Sequence, residues 1–192
     1  MANKETFFAS LMESQFNGAA LRSARYQVNG VDADIHDGAL VTLGDLAVSK
    51  LYGNIYGAEI KDYNVYLATA PAKDTDKIVL VDLDEVSQGV IAGNVYKEGI
   101  KLDGLRCLAG YPARVRVPHS GDTYFVSGDC FVSEPIVGQY ATATVGDTHY
   151  TPAAEAAEGK FCVKIQAVKD FVVGASMAGA GKTGKLYFVE VM

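Results

Sequence analysis

The residue run with the most recognisable chemistry is SMAGAGKTG, residues 176–184, which contains Gly181-Lys182-Thr183. A phosphate-binding loop has a glycine, four residues and then Gly-Lys-Ser/Thr, and it opens a helix whose N-terminal amides hold the phosphates. Here Ser176 stands at the first glycine position, and the short run after Thr183 includes LYFVEV, which is typical of a strand. The sequence therefore predicts a flexible loop between strands KDFVV and KLYFVEV, with no nucleotide or other cofactor.

Two of the three histidines have a carboxylate close by in sequence. Asp34 and His36 share one face if DADIHDG is extended, which would make a proton-transfer pair. His119 and Asp122 frame Ser120 in VPHSGD, but a hydrolytic triad is assembled in space rather than within four residues. We therefore expect a solvated cluster at the first site, a turn at the second, and no catalytic residue at either.

The acidic run VDLDEV and the cysteines are the candidates for metal binding. Asp82 and Asp84 alternate along an extended segment, whereas a calcium loop curves around its ion, so an exposed acidic face is expected. The three cysteines, Cys107, Cys130 and Cys162, lie far apart without a CxxC or Cys/His pairing. Structural zinc needs closely spaced ligands, so reduced packing cysteines and no metal are predicted.

Composition limits the classes of partner. The chain has 192 residues, 49% of them hydrophobic, and a formal net charge of −6 from 17 Lys plus Arg and 23 Asp plus Glu. The acidic balance argues against nucleic acid as a partner, because phosphate binding needs clustered cations. No apolar run approaches the roughly 18 residues that span a bilayer, and the N-terminus is a poor signal peptide, so no membrane partner is expected.

The N-terminal segment differs from the rest of the chain. Residues 3–16 carry a capping residue, Asn3, and apolar residues at helical spacing, which predicts a short helix or arm over residues 1–18. It is either an ordinary core helix or a segment that docks on a partner. The residues of the partner-binding hypothesis are Phe7, Phe8, Leu11 and Met12.

From residue 19 to 192 the pattern predicts a mainly β domain, an antiparallel β-barrel or β-sandwich. Asn29-Gly30 and Asp37-Gly38 are hairpin dipeptides, and ARVRVP alternates with period two. Val163, Ile165 and Ala167 are expected on one strand face with Phe161. Twenty glycines punctuate the strands at intervals typical of barrels and sandwiches. If the domain has two lobes, they are expected to meet near 101–105.

The order of these features resembles that of capsid decoration or cement proteins of tailed bacteriophage heads. The likeness runs from about residue 28 to 192, through the stretches VNGVDADIHDGALVTLGDL, YLATAPAKDTDKIVLVD, GDTYFVSGDCFVSEPIVGQYATATVGDTHYTPA and KLYFVEVM. Its motifs are glycine turns rather than signature residues. The resemblance implies a non-enzymatic virion structural protein that binds the major capsid protein as a homo-oligomer. It implies assembly in the bacterial cytoplasm, which suits a chain without predicted disulfides.

Two other functions stay open from the residues. A small hydrolase would use Asp34 and His36, or His119 and Asp122. A β-barrel carbohydrate-binding module would present tyrosines on a concave face, and the densest group is Tyr52, Tyr56, Tyr63 and Tyr66.

Overall fold

The computed structural model describes residues 9–13, 21–48, 61–83, 88–91, 94–97, 106–173 and 182–192. Over these residues the chain is mainly β, as predicted, and its one helical element is a 3₁₀ turn at Gly128–Cys130. The strands are β1 (Ala9–Glu13), β2 (Leu21–Val28), β3 (Val31–Asp32), β4 (Ile35–His36), β5 (Leu40–Val48), β6 (Lys61–Thr69), β7 (Ile78–Val81), β8 (Gln88–Ile91), β9 (Asn94–Lys97), β10 (Arg106–Cys107), β11 (Ala113–Arg116), β12 (Thr123–Ser127), β13 (Tyr140–Ala143), β14 (Tyr150–Ala153), β15 (Cys162–Val173) and β16 (Lys182–Val191).

Five strands close into a barrel in the order β11-β7-β5-β6-β2, with β2 pairing back to β11. All neighbours are antiparallel except β2 and β6, which run parallel from Ser23↔Val65 to Tyr26↔Ala68. A barrel of few strands has a narrow interior, so small side chains must fill it. The buried barrel cluster is accordingly made of alanine, valine and one isoleucine: Ala24, Ile35, Ala39, Val41, Ala68, Val79, Val81, Ala113 and Val115.

The second layer is a six-stranded sheet in the order β1-β12-β16-β15-β13-β14. Its inner face packs against the outside of the barrel, and aromatic side chains fill much of the space between the two layers. This seam cluster is Leu40, Ile78, Leu80, Tyr124, Val126, Cys130, Phe131, Ala141, Tyr150, Val163, Ile165, Tyr187, Val189 and Val191.

Strand β7 shows how the sequence specifies both layers at once. All four residues of IVLV are buried, because Val79 and Val81 point into the barrel while Ile78 and Leu80 point into the seam. Successive side chains of a strand face opposite sides, so a continuous apolar run is the signature of a strand covered on both faces.

The two predicted hairpin dipeptides have different outcomes. Asn29 (φ 52°) and Gly30 (φ 78°) form the tight turn between paired strands β2 and β3, which confirms the first prediction. Asp37-Gly38 also turns the chain, but β4 pairs with β10 rather than with β5, so the hairpin prediction is wrong. The buried Asp37 carboxylate instead accepts the Leu83 N–H at 2.7 Å, which ties the turn to the barrel.

The predicted N-terminal helix is wrong where the structure describes that segment. Ala9–Glu13 is strand β1, the edge strand of the six-stranded sheet, and it pairs antiparallel with β12. The ladder supplies hydrogen-bond partners that a short isolated helix lacks, so tertiary pairing overrides the helical spacing. Phe7 and Phe8, and the expected lobe junction at 101–105, lie outside the described residues.

Strand β15 also departs from the predicted pattern. A bulge between Ile165 and Ala167 shifts its register on β16, so Ile165 pairs with Val189 whereas Ala167 pairs with Phe188. The extra residue reverses the alternation of faces. Val163 and Ile165 enter the seam, as expected, but Ala167 is exposed and lies on the opposite face.

Candidate interaction surface

The longest strand pair among the described residues extends beyond the neighbouring strands of its sheet. Pairing of β15 with β16 continues through Asp170↔Lys185 to Val173↔Lys182. On the two flanks, β12 pairs with β16 only as far as Leu186, and β13 pairs with β15 only as far as Lys164. Within the part of the chain that the structure describes, the outer end of this pair is therefore a two-stranded ribbon, which we call the hairpin stem (residues 166–173 and 182–185).

The loop of residues 131–138 supports the root of the hairpin stem. Glu134 forms an ion pair with Lys185, which raises the pKa of the lysine and lowers that of the carboxyl group. At the other strand, Gly138 N–H donates to the Ile165 carbonyl and Ile165 N–H donates to the Gln139 carbonyl, both at 2.8 Å. The loop thus contacts both strands near the point where the ribbon begins.

Exposed apolar side chains surround this root. Val168 on β15 is 45% exposed, and Ile136 and Val137 on the supporting loop are 59% and 44% exposed. A cavity of about 310 Å³ is lined by Phe131, Val132, Pro135 and Tyr187 together with the charged residues Asp129, Glu134 and Lys185. Aromatic and apolar side chains beside charged ones also occur at protein contact surfaces.

Asp34 and His36 lie at the short β4–β10 strand pair, where both make structural contacts. Asp34 accepts the Ala109 N–H at 2.8 Å and pairs with Arg106 at 3.1 Å, so both carboxylate oxygens are engaged. His36 lies on β4, paired to Arg106 on β10. Burial, then the positive charge of Arg106, lowers its pKa, while Asp34 opposes the shift.

His119 and Asp122 form the predicted turn. The buried Asp122 carboxylate accepts the His119 backbone N–H at 2.9 Å, and Asp122 N–H donates to the His119 carbonyl at 3.0 Å. The imidazole Nδ1 is 3.9 Å from the same carboxylate oxygen, which exceeds hydrogen-bond distance. This geometry is that of a side-chain-capped turn, with Gly121 at φ 90°.

His149 was not among the sequence-based candidates, yet its ring lies against a carboxylate. Its Nδ1 lies 2.6 Å from Asp147 Oδ1, which also accepts the Thr148 N–H at 2.6 Å. The same turn is tied to the barrel because Leu40 N–H donates to the Thr148 carbonyl at 2.8 Å. The hydrogen bond from Leu40 therefore joins the turn of the sheet to the barrel, and the His149–Asp147 contact lies within that turn.

The prediction of an exposed acidic face is wrong for Asp82. It is only 9% exposed, and its carboxylate pairs with Arg114 at 3.2 Å and with Arg116 at 2.9 Å. These arginines are the outward residues of the predicted alternating strand β11, so the acid neutralises a basic strand face. Asp84 lies outside the described residues.

The remaining candidates are the glycine-rich run before Lys182, the cysteines and the tyrosines. Lys182 and Thr183 begin strand β16, which confirms that a strand rather than a phosphate-holding helix follows the glycine-rich run. All three cysteines are free, and Cys130 and Cys162 are buried. Among the described residues no group of three or more His, Cys, Asp or Glu side chains is arranged to hold a metal ion. Of the four tyrosines proposed for sugar binding, only the side chain of Tyr66 is described, and it is half-buried.

Comparisons with known proteins identify no relative of this chain. No family model, curated protein or solved structure matches this chain. Within the described ranges, none of the helical structure is both long and apolar enough to cross a bilayer.

Proposed function

We propose that this chain is a non-enzymatic structural protein of a tailed-phage virion that binds the major capsid lattice and stabilises or decorates the head. The observation that carries the proposal is the hairpin stem, a ribbon that leaves the packed body with apolar side chains at its root. The sequence resemblance to head decoration proteins over residues 28–192 gives the class of partner. In this proposal the protein is a homo-oligomer and assembles in the bacterial cytoplasm.

The energetics of a two-stranded ribbon support a docking role. An isolated hairpin is at best marginally stable in water, because it has no third strand and no core to bury its side chains. The pairs from Asp170↔Lys185 to Val173↔Lys182 extend about 10 Å at 3.3 Å per residue without a third strand among the described residues. A partner surface would supply the missing burial.

The root of the stem has the composition for such a contact. Val168, Ile136 and Val137 are three β-branched side chains that are each more than two-fifths exposed. Covering apolar area is worth about 25 cal/mol per Å², so each contact is individually weak. Repetition over a symmetric lattice would multiply these contacts through avidity.

Substitution of Val168 tests the proposal directly. Val168→Lys should reduce co-sedimentation of the purified protein with heads of the phage that carries this sequence, by at least tenfold in apparent affinity. Val145→Lys is the matched control, because Val145 is 53% exposed in a turn away from the stem. Both variants should keep the wild-type melting temperature within about 2 °C. Equal binding by Val168→Lys and wild type would refute the docking role of the stem.

The N-terminal segment stays a second predicted contact. Deleting residues 1–17, which include Phe7, Phe8, Leu11 and Met12, should abolish binding to heads while the β domain stays folded. Retained binding would remove the segment from the proposed interface and leave the stem as the contact.

A further inference from the structure

A second cavity lies at one end of the seam between the barrel and the six-stranded sheet. It measures about 460 Å³ and is open to solvent. Its barrel side includes Ile78, the first residue of β7, and Val117, which follows β11. Its sheet side includes Cys162, the first residue of β15, and Val191, the last residue of β16. This volume lies in the range of small-molecule binding sites, roughly 300–1,000 Å³. We call it the seam cavity.

Hydrogen bonds hold the walls of the seam cavity on both sides. On the barrel side, Asp76 Oδ2 accepts the backbone N–H groups of Ala72 and Lys73, both at 2.8 Å. On the sheet side, the Met192 N–H donates to the Cys162 carbonyl at 3.0 Å. A ligand that enters a site with walls already held in place does not bear the entropy cost of ordering them.

The lining of the seam cavity combines apolar side chains of the core with two exposed lysines. Ile78, Cys162 and Val191 are buried, whereas Lys77 and Lys160 are exposed. A ligand in this cavity therefore meets apolar surface and positive charge together. Small-molecule sites commonly have this combination, in which apolar contacts give affinity and a few charged groups fix the orientation.

The charge balance of the lining side chains is positive. Lys77 and Lys160 line the seam cavity with one acidic side chain among the described residues, Asp76, whose carboxylate already accepts two backbone N–H groups. The cavity beside the hairpin stem has the opposite balance, because two acidic side chains line it with one lysine. An anionic ligand therefore fits the seam cavity better than it fits the cavity beside the stem.

An ion pair joins the two layers next to the seam cavity. Lys160 precedes β15 on the sheet side, and its ammonium group pairs with Asp74, which lies in the loop before β7 on the barrel side. Both side chains are exposed, and an exposed ion pair contributes little to stability. The ammonium group can therefore exchange Asp74 for another anion at small cost.

We propose that the seam cavity binds a small organic anion, a carboxylate or sulfonate with an apolar body. The anionic group pairs with Lys77 and with Lys160, which exchanges Asp74 for the ligand. The apolar body covers Ile78 and Val191, and the removal of this surface from water supplies the remaining affinity. The site lies at the opposite end of the β15–β16 pair from the hairpin stem, so the inference goes beyond the proposed virion function and does not depend on it.

Isothermal titration calorimetry with phenylbutyrate and its neutral amide, phenylbutyramide, tests the proposal. The full chain should bind the carboxylate with a Kd of about 1 mM or tighter. It should bind the amide at least about tenfold more weakly, because only the carboxylate forms charge-assisted hydrogen bonds with the lysines. Equal affinity for the two probes, or no saturable binding of the carboxylate, would overturn the proposal.

Two variants of one ion pair distinguish ligand binding from a structural role of Lys160. Lys160→Gln removes the ammonium group and should weaken phenylbutyrate binding about tenfold. Asp74→Asn breaks the same ion pair but leaves the ammonium group for the ligand, so binding should equal or exceed that of the wild type. Weaker binding by both variants would show that the ion pair only shapes the two loops, which contradicts the proposed site.

The other lysines supply a matched pair of substitutions. Lys77→Gln should also weaken phenylbutyrate binding, whereas Lys185→Gln, at the cavity beside the stem, should leave it unchanged. All these lysines are exposed, so the variants should keep the wild-type melting temperature. A loss of binding in Lys185→Gln as large as that in Lys160→Gln would place the anion outside the seam cavity and refute the assignment.

Discussion

The barrel interior and the seam between barrel and sheet are both fully buried, yet they are built from different side chains. The fully buried residues of the barrel are alanine and valine with one isoleucine, and larger side chains such as Tyr26 and Leu43 pack against them only partly buried, whereas the seam buries Tyr124, Phe131, Tyr150 and Tyr187 completely. A closed ring of five strands leaves room for small groups only, while two facing layers stand about 10 Å apart and need large ones.

The barrel and the six-stranded sheet also differ in the backbone edges that they leave open to a partner. The barrel uses up its strand edges by closing on itself, so it offers few backbone groups to a partner. The six-stranded sheet stays open, and from it arise both features proposed here to make contacts, the hairpin stem and β1. The closed barrel therefore supports the open six-stranded sheet.

The largest expected effect comes from removing a ring from the seam. Phe131 packs against Tyr150 at 5.2 Å and Tyr187 at 5.4 Å between ring centroids, and it is 2% exposed. Phe131→Ala should lower the free energy of unfolding by about 3–5 kcal/mol, measured by urea denaturation. Phe125→Ala is the control, because its ring contacts Phe188 on the half-exposed outer face. Equal losses would show that the seam is not the main aromatic core.

Enlarging a side chain inside the barrel should lower the free energy of unfolding by less than removing a ring from the seam. Ala68 is 1% exposed inside the ring, so the three additional carbons of a leucine side chain must displace its packed neighbours. Ala68→Leu should destabilise the protein by about 1–3 kcal/mol in the same measurement. Ala72→Leu, on an exposed loop, should change stability by less than about 0.5 kcal/mol. A neutral Ala68→Leu would mean that the barrel has spare volume.

The buried tyrosine pair allows a finer test of the seam. Tyr124 and Tyr150 share a hydroxyl–hydroxyl hydrogen bond of 2.9 Å, and burial raises the pKa of both phenols. Either single change to Phe should cost about 1–2 kcal/mol, because it strands the other buried hydroxyl. The double change should cost less than the sum of the two, and strict additivity would show that the bond contributes nothing.

The smallest expected effect is on pH dependence, at the short β4–β10 strand pair. The pKa of His36 is lowered below its ordinary 6.5 by burial, by the charge of Arg106 and by that of His149, against the opposing charge of Asp34. The unfolded chain then binds more protons as pH falls below about 6.5, so stability decreases toward acid. The melting temperature should fall less between pH 8 and pH 5.5 in His36→Gln than in wild type. An identical fall would exclude His36 as a contributor.

The sequence predicted the parts of the fold that depend on local pattern. Asn29-Gly30 specified its turn, and Ala113 and Val115 specified the buried face of β11, because both signals lie within a few residues. The free cysteines and the strand after Lys182 followed from spacing in the same way.

What the sequence did not predict depends on distant partners. The local sequence predicts that Asp82 is exposed, because it does not show that Arg114 and Arg116 lie beside the carboxylate. The spacing of apolar residues predicts a helix at Ala9–Glu13, because it does not show that this segment pairs with β12. The bulge that turns Ala167 outward and the extension of β15 past its neighbours are set by register, which composition does not reveal. The stem was therefore absent from the sequence-based candidates, which placed the contact in the N-terminal segment alone.

The central claim is that the open sheet, through the hairpin stem, binds a capsid lattice. An electron cryomicroscopy map of native phage heads at a resolution that traces side chains tests it most directly. We expect this chain on the outer surface of the head, with Val168 and residues 182–185 covered by the major capsid protein. A map in which heads carry this chain with its stem surrounded by solvent, or in which it is missing from the virion, would contradict capsid binding through the stem.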